Sequence, residues 1–258
     1  MTDRYAAAGV RFDTADEAKR RIAALVRTTR TPLALGEIGA FGGMVRVPPG
    51  YERPVLVLST DGVGTKMLVA ARAGIHDTVG EDLVNHCVND ILVHGARPLA
   101  FLDYLASAEL EPETAAAIVA GVAHGCRAHD MILAGGETAQ LPDLYRPGHY
   151  DLAGTILGVV EESAALHGDL VRVLPAGCEA VVDARGWSWP PVFRVLMRAG
   201  EVSLGEMRRV FNLGIGMIAV AARDDTEAVI TAAKRAGIAA WIIGEVRAGT
   251  QGVKFAER

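Results

Sequence analysis

Cysteine is scarce in this 258-residue chain, and the three present, Cys87, Cys126 and Cys178, lie far apart. An odd, scattered set builds neither a disulfide framework nor a CxxC metal motif. Positive charge is in deficit: 26 Lys and Arg against 31 Asp and Glu leave a net charge of −5. Such a chain has no basic field to hold a nucleic-acid backbone. Apolar residues never run unbroken for the roughly 18 that a membrane span needs; Met217–Ala222 is far too short. The segment Met1–Tyr5 lacks the basic and apolar regions of a signal peptide. A GxxxxGK[ST] loop, an HxxxH or HxH pair and an internal repeat are also missing. These absences lead us to expect a cytoplasmic protein with reduced thiols, and no nucleic-acid or membrane partner.

What is present describes a folded protein. Half the residues are hydrophobic and 22% are charged, and the length suits one large domain or two small ones. The run Pro54–Ser59, closed by Thr-Asp-Gly, predicts a buried strand. Over Gly80–His94, Leu83, Cys87 and Ile91 form a helical ridge beside Val84, Val88 and Leu92, and Asp82, His86 and Asp90 share another face. Strands are predicted at Leu99–Ala106, Met131–Gly135 and Asp151–Val160, with an alanine-rich helix over Glu111–His129 and Pro112 in its first turn. A boundary is placed near Glu162–Leu170, dividing the chain into domains 1–165 and 166–258. Beyond it the pattern predicts strands at Ala180–Asp183, Phe211–Val220 and Ala239–Val246. Helices are predicted at Pro190–Ala199, Ser203–Arg209 and Asp224–Ala236. Alternating strands and helices give an α/β (α+β) class with mixed sheets.

Chemistry concentrates where strands end. In Asp61-Gly-Val-Gly-Thr-Lys66, two glycines let the backbone approach an anion, Lys66 supplies positive charge, and Asp61 offers oxygen to a divalent cation. A plain strand-to-helix turn requires the same glycines. Asn89-Asp90 sits on a helix whose acidic face is also what solvent exposure alone produces. Gly135-Gly-Glu137-Thr reads either as a ligand-facing loop or as a tight turn. Taken together, three acidic residues at element ends and a lysine beside paired glycines are the components of a magnesium–nucleotide site. Gly36-Glu-Ile-Gly39-Ala-Phe-Gly42-Gly43 reads as a flap. The histidines are taken as ordinary surface or core residues, and Trp187, Trp189 and Trp241 as core anchors.

The strings TDGVGTK (60–66), DLVNHCVNDILVHGARPLAFLDYLA (82–106) and AGGETAQLP (134–142) resemble the phosphoribosylformylglycinamidine cyclo-ligase, or aminoimidazole ribonucleotide synthetase, family. YAAAGV (5–10), YDLAGTILGVVE (150–161), RVLPAGCEAVVD (172–183), WSWPPVFRVL (187–196), EMRRVFNLGIGMI (206–218) and AWIIGEV (240–246) match it in the same order. The resemblance implies an N-terminal domain whose strands build a dimeric barrel, followed by an α/β domain. It implies ATP-dependent ring closure of formylglycinamidine ribonucleotide by a homodimer in purine synthesis. Asp61, Asp90 and Glu137 would surround Mg2+ and the ATP phosphates. Lys66 and the backbone of Gly62, Val63, Gly64 and Thr65 would contact those phosphates, and the loop of Gly36, Gly39, Gly42 and Gly43 would close over them. Asn212 would lie near the substrate, with Asp61 and Lys66 as its catalytic companions.

One departure is large. The family's HSNGYS-type, TPT-type and HxTGGG-type motifs are absent, and Glu161–Asp169 runs almost directly into Leu170–Pro175. The C-terminal domain is therefore expected to be shortened. The same departure gives an alternative reading: a non-catalytic, ATP-binding or regulatory paralogue.

Overall fold

The computed structural model describes residues 12–36, 42–109, 111–166 and 174–256. It divides into two units, Met1–His167 and Gly168–Arg258. The YAAAGV string and Gly39 fall outside the described residues.

In the first unit, α1 (Phe12–Arg27) precedes a short hairpin of β1 (Ala34–Leu35) and β2 (Met44–Val45). Next come β3 (Pro54–Gly62), α2 (Lys66–Ala73), α3 (Asp77–Leu92), β4 (Arg97–Ser107), α4 (Pro112–Ala128), β5 (Ile132–Gln140) and β6 (Tyr150–Glu161). The sheet order is β3-β6-β4-β5; β6 is antiparallel to β3 and β4, and β4 is parallel to β5. Mixed sheets and helices are as expected. Among the described residues the sheet is open, with β3 and β5 at its edges.

Sequence period explains which face of each element is covered. On α3, Leu83, Cys87 and Ile91 are buried, as are Val84 and Val88; they pack with Phe101, Leu105 and Ile156 of the sheet. Leu92, expected beside that ridge, is exposed. Thr29 shows how a buried hydroxyl is satisfied after α1: its Oγ1 donates to the Val26 carbonyl at 2.8 Å and accepts from Leu133 N–H at 2.9 Å. The continuous apolar run of β3 suggested burial on both faces, but the strand is an edge with one open side. Leu56, Leu58, Leu102 and Tyr104 are exposed there, aligned with Val159, Leu157, Thr155 and Ala153 of β6. The Gly-Gly-Glu segment is no turn; β5 continues through it to Gln140.

Helices α3 and α4 approach closely through reciprocal glycines. A Cβ at Gly121 would lie 1.7 Å from the Asp77 carbonyl oxygen, and one at Gly80 would lie 2.1 Å from that of Ile118. Both obstacles are backbone, so a methyl forces the helices apart. We expect Gly121→Ala to lower stability by about 3 kcal/mol, at the upper end of overpacking costs, measured as the urea unfolding free energy. Wild-type stability in that variant would show that the helices can separate freely.

The second unit contains β7 (Cys178–Val182), α5 (Pro191–Ala199), α6 (Leu204–Val210), α7 (Thr226–Arg235), β8 (Gly244–Ala248) and β9 (Gly252–Phe255). Strand β7 is central, antiparallel to β8 and parallel to β9. Ser203 caps α6 by accepting Glu206 N–H at 3.2 Å. Glu179, buried on β7, pairs with Lys254 on β9 and Arg247 on β8, and these cations hold its carboxyl below the usual carboxylate range. Two strand expectations fail. Phe211–Val220 forms a turn and irregular chain because its glycines interrupt pairing; the closing strand starts only at Gly244, and β9 was not foreseen. The tryptophans are not core anchors: Trp187 and Trp189 are half-buried and Trp241 is exposed.

Candidate active site

The site forms where β3 meets the face of α3. β3 carries Ser59 and Asp61 toward the helices, while α3 presents His86 and Asp90 one turn apart. His86 Nε2 lies 2.7 Å from Asp61 Oδ2. Ser59 Oγ donates to Asp90 Oδ2 at 2.8 Å. One donor atom each from Asp61, His86 and Asp90 falls within 4.8 Å of the others. Two hard carboxylate oxygens and an imidazole nitrogen, partly open to solvent, suit a divalent cation.

Gly62–Thr65 links β3 to α2. Asp61 Oδ1 accepts the Gly62 N–H at 2.7 Å and the Leu152 carbonyl accepts the Val63 N–H at 3.0 Å, so this first part of the loop is fixed. Gly64 has φ +69° with open space where a side chain would be; glycine is required there by conformation rather than by crowding. Among the described residues, no backbone carbonyl accepts the Gly64 or Thr65 N–H, which leaves these donors for an anion at the start of α2. Lys66, first residue of that helix, pairs with Asp82 of α3.

The sequence-predicted residues are not all brought together. Asp61 and Asp90 meet, and the structure adds His86. Glu137 is not in that cluster. It aligns with Tyr104, which points to the sheet's open side, whereas Asp61 shares a row with Gly154, Asp103 and Gly136 on the helix side. Its carboxylate instead accepts the N–H of Thr138 at 3.1 Å. Of the glycine-rich segment, Gly36 follows β1, Gly42 and Gly43 precede β2, and Gly43 abuts Ala134 on β5. Asn212 belongs to the second unit, where its Oδ1 accepts the Gly214 N–H at 3.0 Å.

Sequence reasoning missed two residues. His86 was set aside for want of a second histidine at ligand spacing, but its partner comes from another element. Asp103 lies across Gly154 from Asp61, and its Oδ1 fills the space beside Gly136, 2.2 Å from where a Cβ would be. Burial pushes the Asp103 carboxyl up to about 7. The neighbouring thiol of Cys87 is also buried and, with Asp90 nearby, is pushed up to about 12, so it is no nucleophile at neutral pH. The chemistry offered is electrostatic: a cation held by carboxylates, free N–H groups and a lysine.

Both parts of the chain have counterparts among known proteins. Residues 42–160 match the N-terminal domain of AIR synthase related protein, and residues 163–255 match its C-terminal domain. The phosphoribosylformylglycinamidine cyclo-ligase of Sorangium cellulosum (strain So ce56) is 36% identical over an alignment covering 100% of this chain and 99% of that protein. The alignment has 345 positions against 258 residues here, so about 87 positions of the relative have no counterpart. Among solved structures, thiamine-monophosphate kinase from Stenotrophomonas maltophilia K279a superposes with TM-score 0.63 at 18% identity, covering 95% of this chain and 96% of that one. Hydrogenase maturation protein HypE from E. coli gives 0.59 at 15%, covering 93% and 94%. At these identities the two structures establish a shared fold.

Proposed function

The chain belongs to the AIR synthase family, and from that membership we propose that it closes the imidazole ring of formylglycinamidine ribonucleotide at the expense of ATP, as a cytoplasmic enzyme of purine synthesis. The observation that carries the reading is the joining of Asp61 and Asp90, with His86, beside a glycine loop whose Gly64 and Thr65 N–H groups have no acceptor among the described residues. In this reaction the formyl oxygen takes the γ-phosphoryl group and ADP leaves. The ring-closing nitrogen then attacks that carbon, and phosphate departs with the oxygen. Gly64 and Thr65 N–H groups and the Lys66 ammonium bind and orient the phosphates. Asp61, Asp90 and His86 would hold Mg2+, which supplies charge neutralisation to the phosphates when bound. The uncovered apolar face of Leu56, Leu58, Leu102 and Tyr104 supports the homodimer, since a second copy would remove it from water. No described helix is long and apolar enough to cross a membrane.

A second reading rests on the roughly 87 positions present in the relative and missing here: a shortened, non-catalytic ATP-binding paralogue. One assay separates the two. With magnesium-ATP, we expect ADP release to accelerate at least about tenfold when formylglycinamidine ribonucleotide is added, a modest fraction of enzymatic accelerations. A folded chain that binds ATP but shows no such dependence is the paralogue.

A further inference from the structure

The second unit contains a cavity of about 400 Å³ whose lining includes Trp187, Trp189, Arg194, Met197 and Arg198. All of these residues belong to this unit, and none was needed for the phosphoryl chemistry above. Arg194 and Arg198 are one turn apart on α5 and reach the same opening. No ion pair among the described residues engages either guanidinium. Asp183, beside the lining residue Ala184, is already gripped by Arg185 through two bonds of 2.8 and 2.7 Å. The charged side chains lining the cavity are therefore these two cations.

The aromatic wall is held in place. Trp187 Nε1 donates to the Leu213 carbonyl at 2.9 Å. The turn carrying Leu213 is fixed by Asn212, whose Oδ1 accepts Gly214 N–H and whose carbonyl accepts Ile215 N–H, both at 3.0 Å. Pro190, next to Trp189, lies against Gly214. With its N–H engaged, the Trp187 indole has its ring face rather than its donor to offer. Indole faces bind flat rings by stacking, and arginine forks bind phosphate oxygens in pairs.

We propose that this cavity is a second ligand site that takes a planar heterocycle bearing a phosphomonoester, a mononucleotide-like molecule, with its ring on Trp187 and Trp189 and its phosphate on Arg194 and Arg198. The volume suits a small ligand, and the acidic chain as a whole argues against a nucleic-acid polymer. The site shares no residue with the Asp61 cluster and does not depend on the cyclo-ligase reading.

The chain's three tryptophans make the test direct. Two line the cavity and the third, Trp241, lies outside it, so in a Trp241→Phe protein all indole emission comes from the site. Titration with adenosine monophosphate should quench that emission in one saturable phase that weakens as NaCl is raised. Arg194→Gln and Arg198→Gln should each weaken binding about tenfold, the loss expected for one charge-assisted contact, while Lys66→Ala leaves it unchanged. Both arginines are exposed, and unchanged circular dichroism would show that the variants fold. Adenosine alone, and inorganic phosphate alone, should bind at least about tenfold more weakly than the joined molecule. The proposal is overturned if quenching survives the arginine changes undiminished, whatever Lys66→Ala does. It also fails if adenosine binds as well as its monophosphate, if salt has no effect, or if no saturable quenching occurs at millimolar ligand.

Discussion

Asp61→Asn should lower substrate-dependent ADP release by about a thousandfold, the scale set by removing one preorganised group that stabilises transferring charge. Asparagine keeps the size of the side chain and an oxygen able to accept the Gly62 N–H. It loses the negative charge facing His86 and one of the two carboxylates of the cluster. Stability should scarcely change. The Asp61–His86 pair is 41% and 48% exposed at its two side chains, and pairs so open to water contribute about 1 kcal/mol or less. Lost turnover with unchanged unfolding would therefore report chemistry rather than a damaged fold. The fall should persist at saturating ATP if Asp61 acts on the transferring phosphoryl group, whereas rescue by excess ATP would reduce its role to ground-state binding. Retention of activity within a few-fold of wild type would remove the cluster from the mechanism.

The parts of this site that the sequence made legible are those encoded locally. Asp61, the glycines and Lys66 occur within six consecutive residues, and Asp90 lies on a helix whose apolar ridge repeats cleanly through Leu83, Cys87 and Ile91. Such signals survive without knowledge of what packs where. His86 had no local signal, because its partner is supplied by β3 and only the packing of strand against helix joins them. Glu137 illustrates the reverse failure. Gly135 and Gly136 read either as a ligand-facing loop or as a tight turn with a surface glutamate, but β5 pairs with β4 throughout this stretch, and strand alternation sends Glu137 to the open side. In the second unit, Trp187 and Trp189 were assigned to a core on residue type alone. The face they form is instead half open, and α5 and α7 bury no residue among those described. The sequence departure near Glu161–Pro175 falls at the start of this unit, where Val192, Val195, Leu196 and Ile242 are exposed although their residue type suggests a core.

Asp103→Asn should stabilise the protein above pH 7 and flatten its pH dependence. The Asp103 carboxyl, ordinarily near 3.8, is pushed up to about 7 by burial. Its contribution is therefore most favourable below pH 4, when the group is neutral in both states, and is lost progressively as pH rises to 7. Beyond that the folded chain carries a buried charge, at a cost of at most about 4 kcal/mol given 1.36 kcal/mol for each pH unit between the two values. Asparagine imitates the neutral acid at every pH. His129 opposes this trend, because burial lowers its pKa and its contribution is lost as pH falls through that range. The comparison is therefore variant against wild type, by urea unfolding at pH 5 and pH 8. At pH 5, about one unit above the ordinary carboxylate value, the variant should lead by only about 1.6 kcal/mol; at pH 8 it should lead by about 4 kcal/mol. Equal differences at both pH values would show that Asp103 carries no uncompensated charge. A buried carboxylate kept at such a cost, one glycine away from Asp61 in the same sheet row, is what a trade between stability and activity looks like. The stabilised variant is therefore expected to release ADP more slowly than wild type at pH 8, where the wild-type group is ionised and asparagine cannot be.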